Sequence, residues 1–449
     1  MTRMHISTRP VIVALAALGL VTAIAPAAVR AQAPLSLDDA IARAVRQNPA
    51  IRAAAAGVQE AAARADQARA GWMPRVDITE SWQRGDQPVF VFGSLLAQRN
   101  FGPENFAIDA LNHPAPLSNY HTAITAEQLV YDGGRRESSI RQARLGEQLA
   151  GLAGQDASLA LKVAATQTYG QVLMAMAQRK AADAALQSAD EDLHRAERRR
   201  DAGMGTDADV LALRVHQTRV RERQISATSQ ETIARAQLND VMGDPLDRVY
   251  VLQLPQPAVE TALPGVADVE PDALAKRADV SRAAIQEELA REGRTTSRAA
   301  YLPQAGVQGG LEFNGASFTE QARSWGVGAF VRWNLFAGLG DAARSREAAA
   351  ALLRVQAERQ RVLSSVRVEI RTALARVEDA RAREEVGRTA RLQAAESQRI
   401  IRDRYDAGLA TVNDVLRAAD AVLETELQQT MARVDVLVSG AMLDRARGR

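Results

Sequence analysis

Arg200-Asp201-Ala202-Gly203-Met204-Gly205-Thr206-Asp207-Ala208-Asp209-Val210-Leu211 is the stretch that decides the fold. Before it, a helical pattern runs from about Gly134 to Asp201, with Leu145, Leu149, Leu152, Leu159, Val163, Thr166, Leu173 and Met176 stepping by threes and fours. After it, the chain returns as a second helix to about Met242. Glycine lets a chain leave a helix tightly through the left-handed backbone region. Asp209 stands at the start of the returning helix, where a carboxylate complements the helix dipole. Roughly 68 residues at 1.5 Å each make a rod about 100 Å long. No globular domain of this size requires that length; a tube or a fibre does.

The hairpin occurs twice. Tyr131 to Gly243 recurs without a gap, 205 positions later, as Phe336 to Gly448. The second turn reads Arg404-Tyr405-Asp406-Ala407-Gly408-Leu409-Ala410-Thr411-Val412-Asn413-Asp414-Val415-Leu416.

Ahead of each hairpin the period changes to two. In the first repeat (32–243) the reading is a helix over 35–71, broken at Asn48-Pro49, then strands over 75–84 and 119–131, then the helical hairpin over 134–242. Ser36 or Asp38 is placed to cap the first helix. Val76, Ile78, Glu80 and Trp82 share one face of the first strand, and Asp77, Thr79 and Ser81 the other. Residues 87–118, rich in Gly, Pro, Asn and Phe, read as a long irregular hairpin loop without helix or strand. A Pro-rich linker covers 244–271. The second repeat (272–449) has a helix over 272–300, strands over 303–313 and 323–336, and a hairpin over 338–447. The offset between repeats falls from 229 to 205 across the strands, so the first strand hairpin carries about 24 extra residues. An insertion confined to a hairpin end marks an end that faces open space.

Composition narrows the class. The chain has 449 residues, 47% hydrophobic but only 4% aromatic, which suits close helix–helix contact better than a thick core. There is no Cys, which excludes disulfides, thiolate metal sites, cysteine nucleophiles and a lipidated N-terminus. Arg3 and Arg9 before the apolar run Val11 to Ala25 read as a secretory signal, residues 1–31, cleaved after Ala31 or Ala33. Three of the 56 basic residues and none of the 54 acidic ones fall in it, so the remainder is nearly neutral and offers nothing to nucleic acid.

Strands of about ten residues, apolar and aromatic on one face and polar or glycine-rich on the other, match membrane-spanning β-strands. Four such strands cannot close a barrel, and an open edge in lipid leaves backbone groups unsatisfied. Three chains give twelve strands, and their hairpins pool twelve helices into a second tube continuous with the first. The fold class expected is mainly α with membrane β: a trimer whose 12-stranded β-barrel continues into a 12-helix α-barrel.

Here the chain resembles the TolC-type outer-membrane efflux proteins. The resemblance rests on the doubled turn pattern (aromatic or basic, two residues, Gly, five residues, Asp-Val-Leu), on Asn48-Pro49-Ala50-Ile51, on Tyr301-Leu302-Pro303 and on Asp132-Gly133-Gly134-Arg135. It implies a passive exit duct of a tripartite efflux pump or type I secretion system in the Gram-negative outer membrane. Its partners would be outer-membrane lipid, a periplasmic adaptor and an inner-membrane pump. The turns would form the periplasmic tip, with Gly203, Met204, Gly205, Gly408, Leu409 and Ala410 docking the adaptor. Asp414 matches an aperture position, where three copies make a carboxylate ring favouring cations, and Tyr405 matches a position that latches the tip shut. Asp209 reads first as a cap, with a place at the aperture beside Asp414, Arg417 and Tyr405 as the alternative. Two departures stand out: Ala410 replaces a latch Arg, and Arg417 stands where a second ring Asp can occur.

The alternative is a periplasmic coiled-coil adaptor or scaffold, which would carry one hairpin between lipoyl-like and barrel segments. No catalytic residue, cofactor or metal is expected. The five His lack ligand spacing, with His194 and His216 read as solvated, and Arg198-Arg199-Arg200 reads as an exposed last helical turn. A secreted hydrolase would need a clustered polar site that the chain does not offer.

Overall fold

The computed structural model describes residues 34–253 and 262–449; the expected signal segment lies outside the described residues. A short strand β1 (Pro34–Leu35) leads into helices α1 (Leu37–Gln47) and α2 (Pro49–Arg69). Ser36, not Asp38, caps α1, its hydroxyl accepting from the Asp39 amide at 3.1 Å. Asn48 breaks the pattern as expected from Pro49. Its Oδ1 caps α2 through the Ala50 amide, and its Nδ2 donates to the Val241 carbonyl at 2.8 Å.

Strands β2 (Arg75–Gly85) and β3 (Leu117–Tyr131) flank the segment expected to be irregular. That expectation is corrected. The segment folds α3 (Pro88–Ala97), a 3-10 turn at Pro103–Phe106 and α4 (Ile108–Asn112). Pro88 at the first helical position starts α3, but Pro88-Val89-Phe90-Val91-Phe92 is apolar all round, so no helical stripe shows in the sequence.

The first hairpin is α5 (Arg135–Asp201) and α6 (Asp207–Met242). Strand β4 (Val251–Leu252) then pairs in parallel with β1. The second repeat is α7 (Val266–Lys276), α8 (Ala278–Ala299), β5 (Gln304–Gly315), β6 (Ala322–Arg332), α9 (Gly340–Asp406) and α10 (Val412–Ala446). Two details of the linker reading change. Helix begins at Val266, and Pro271, the last residue of the expected linker, lies inside α7, where it forfeits a single backbone hydrogen bond. The last strand ends at Arg332, short of Trp333, whose indole N–H donates to the Tyr301 carbonyl at 3.0 Å.

The four long strands form one antiparallel sheet in the order β2-β3-β5-β6. The register aligns Ile78, Ile124, Leu311 and Trp325 in one row. With side chains alternating, one face carries Val76, Ile78, Trp82, Trp325, Val327 and Val331. The opposite face carries Asp77, Thr79, Ser81, His121, Thr125 and Glu312. Trp325 and Val327 are 72% and 78% exposed, so nothing among the described residues covers the apolar face. Among the described residues, its outer strands β2 and β6 each pair on one side only.

Arg136 binds sheet to helices. Its guanidinium donates to the Leu129 and Val130 carbonyls at 2.7 and 3.0 Å and lies 4.1 Å from the Trp72 ring centroid. Halfway along the hairpins two apolar clusters form a belt. In one, the buried Tyr169 hydroxyl contacts the Leu35 and Gln253 carbonyls at 2.9 and 2.6 Å, pinning β1 and β4 to α5. In the other, Val269 and Ala273 of α7 cluster with Val366, Ile370 and Val377 of α9 and Leu443 of α10. The hairpins cross closely at Gly170, where an added Cβ would sit 2.5 Å from Val434 Cγ1.

Candidate functional site at the helical turns

Both turns are built alike from the residues upward. Gly203 (φ 74°) and Gly408 (φ 76°) take the left-handed conformation just past the helix end. The amide of Gly203 donates to the Arg200 carbonyl, and that of Met204 to Arg199, each at 2.8 Å. Gly408 and Leu409 repeat the pair on Tyr405 and Arg404 at 3.0 and 2.8 Å. This double closure satisfies carbonyls that a helix end leaves free. The residue after each glycine, Met204 or Leu409, projects with 69% or 70% of its surface exposed.

Each returning helix opens on a reciprocal cap. Asp414 Oδ2 accepts from the Thr411 amide and hydroxyl at 2.9 and 2.7 Å, and the Asp414 amide donates back to the Thr411 hydroxyl at 3.3 Å. Asp209 makes the same arrangement with Thr206. The hydrogen bonds from Thr411, assisted by Arg417 and Arg404, hold the Asp414 carboxyl below the usual carboxylate range. Asp414 is half-buried and Arg417 exposed.

Three kinds of contact join the two turns. Val412 and Leu416 of α10 pack against Leu193, Ala196, Val210 and Leu213 of the first hairpin. Arg402 donates to the Ser188 hydroxyl, and Arg223 lies 3.7 Å from Asp420. Arg199 lies 5.0 Å from the Tyr405 ring centroid and donates to the Tyr405 carbonyl at 3.3 Å. Burial raises the Tyr405 pKa. Arg199 is therefore not the freely solvated residue expected of a last helical turn; its partner lies 206 positions away, beyond any local pattern. His194 is exposed as expected, whereas His216 is half-buried, and that burial lowers its pKa. Ala410 is half-buried and offers no head group where a latch Arg was considered.

Among the described residues no group of His, Cys, Asp or Glu is placed to hold a metal ion. Among them, too, no helix is long and apolar enough to cross a membrane.

The family description Outer membrane efflux protein matches residues 40–244 and 270–449, nearly all of both repeats. The chain belongs to the outer membrane efflux protein family. Solved structures share its fold. The Campylobacter jejuni CmeC outer membrane channel is 17% identical, with a TM-score of 0.79 over 92% of this chain and 85% of that one. The outer membrane protein VceC from Vibrio cholerae is 18% identical (TM-score 0.74; 92% and 96% covered). The Neisseria gonorrhoeae MtrE outer membrane channel is 17% identical (TM-score 0.71; 92% and 88%). None of the curated proteins matches the sequence.

Proposed function

We propose that three copies of this outer membrane efflux protein assemble into one exit duct. Each would contribute its four strands to a twelve-stranded barrel in the outer membrane and its hairpins to a periplasmic tunnel. The observation that carries this reading is the four-stranded sheet with an uncovered apolar face and two free edges. In lipid such edges must be paired, and a neighbouring copy of the same sheet supplies antiparallel partners on both sides. The scaffold alternative leaves that apolar face without a use.

The duct is passive and catalyses nothing; an inner-membrane pump joined through an adaptor supplies the energy. Gly203, Met204, Gly205, Gly408, Leu409 and Ala410 form the ends that an adaptor meets, with Met204 and Leu409 as apolar contacts. Tyr405 holds the ends together through Arg199, and Asp414 and Arg417 line the aperture. Asp209 serves its own helix as a cap.

The test is planar-bilayer recording of detergent-extracted protein together with its mass in solution. Three chains per particle and small cation-selective openings are expected. A monomer that stays soluble without detergent and never conducts would overturn the duct.

A further inference from the structure

The outer end of the first strand hairpin carries an element that the duct itself does not require. Helix α3 turns one stripe toward the sheet: Val91, Ser94 and Gln98 are buried. The Gln98 amide nitrogen donates to the Ser118 carbonyl and to Asn119 Oδ1, both at 2.9 Å, and Asn119 donates to Asn314 Oδ1 at 2.9 Å. By strand alternation Asn119 and Asn314 share the face of Thr125 and Glu312, opposite Trp325 and Val327. Since the apolar face meets lipid, α3 packs on the luminal face at the mouth. The rest of the segment is stapled down. Phe101 stacks edge-on between Phe92 and Phe106 at 4.9 and 5.0 Å, and Arg99 donates to the Arg323 carbonyl at 2.9 Å.

The other stripe of α3 is apolar and bare: Val89 is 87% exposed and Leu96 51%. Twelve strands about 4.8 Å apart, tilted by about 40°, enclose a barrel of backbone radius about 12 Å. A helix with its side chains is roughly 10–12 Å across. A helix lying on the inner wall therefore reaches the axis, where its two symmetry mates arrive as well.

Resting on the duct reading above, we infer that the occupant of the bare α3 stripe is the same stripe of the other two copies. Three α3 helices meet at the axis through Val89 and Leu96 and close the outer mouth with an apolar plug. Water and ions leave such a constriction readily, so it shuts the mouth independently of the periplasmic turns.

The absence of Cys makes the test direct. Thr125→Cys places a thiol on the luminal face, below α3. A bulky, impermeant maleimide added outside intact cells should label it at least tenfold faster when residues 88–116 are replaced by a short Gly-Ser turn. In the full chain, Val89→Cys with a short bismaleimide should give covalent dimers. Equal labelling with and without the segment overturns the plug even if dimers form, and absence of dimers overturns the meeting of the helices. If Thr125→Cys resists external label in both forms while Val327→Cys on the opposite face accepts it, the sheet does not enclose a lumen; plug and duct then fall together.

Discussion

The guanidinium of Arg199, at the end of the first hairpin, lies 5.0 Å from the ring centroid of Tyr405, at the end of the second. The same guanidinium donates to the Tyr405 carbonyl at 3.3 Å. One side chain thus holds both the ring and the backbone of the opposing turn. The small apolar cluster around Leu193 and Val412, the Arg402–Ser188 hydrogen bond and the Arg223–Asp420 pair also join these ends.

Removing the ring should loosen the turns. A cation–π contact is worth about 0.5–2 kcal/mol, so Tyr405→Ala should raise the open-to-closed ratio of each hairpin about 2- to 30-fold. Tyr405→Phe keeps the ring and should behave like the parent. Single-channel open probability distinguishes the two, and identical traces for parent and Tyr405→Ala would remove the contact from gating.

The pH response follows from the cap on Asp414. Its pKa is lowered in the folded state, so the charge and its capping contribution are present above the ordinary carboxylate value and are lost only as pH falls through the lowered one. Cation selectivity should therefore persist below the usual carboxylate range. Thr411→Ala removes the hydroxyl hydrogen bond, so selectivity should fade at higher pH than in the parent. Reversal potentials measured across an acid series check this, and superimposed curves would exclude Asp414 from the aperture.

Arg417 offsets the charge of Asp414 from one turn beyond it. Arg417→Ala should shift the reversal potential toward greater cation selectivity, with little effect on folding because the side chain is exposed. An unchanged potential would place Arg417 outside the ion path.

At the crossing of α5 and α10 the helices leave no room for a methyl group. Gly170→Ala would press on Val434 and should cost about 1–3 kcal/mol, as overpacking does. The thermal midpoint of detergent-solubilised protein should fall, and Val434→Ala in the same chain should restore much of it. A midpoint that does not move would mean the crossing relaxes.

Tyr169 should report at the alkaline end. Burial pushes its hydroxyl up to about 12, so its contribution is complete below the ordinary tyrosine value, about 10, and is lost as pH rises through the folded value. Tyr169→Phe leaves two carbonyls without that donor and should cost about 1–3 kcal/mol at neutral pH. The variant should also lose the alkaline part of the decline. Calorimetry of both proteins from neutral to alkaline pH gives the comparison.

What the sequence carried openly was whatever obeys a short period. The alternation from Val76 to Trp82 and from Trp325 to Val331 marked the sheet faces, and the glycines at 203 and 408 marked the turns. Asn48 marked a helix break through its proline neighbour. Contacts between distant residues left no local trace. Tyr169 reads as one more apolar position until Leu35 and Gln253 close on it. Arg199 reads as solvated charge until Tyr405 covers it. Helix α3 escaped for another reason: Val89 through Leu96 is apolar on both sides, so it has no helical rhythm to detect. The expected linker ran too far, to Pro271, because a single lost hydrogen bond is tolerated within a packed helix.

The belt has a mechanical meaning. Helix α9 lies in the belt cluster, with α7 and α10, as far as Val377 and then runs about 42 Å, at 1.5 Å per residue, to Tyr405. Over that arm a tilt of about 10° carries Tyr405 some 7 Å, roughly, which exceeds the reach of its attraction to Arg199. On the proposed reading, in which a partner grips Leu409, the second hairpin would act as a lever with its fulcrum at the belt, and little angular work would unseat the far contact. On that reading, stiffness along the helix, rather than softness at the turn, would transmit the motion.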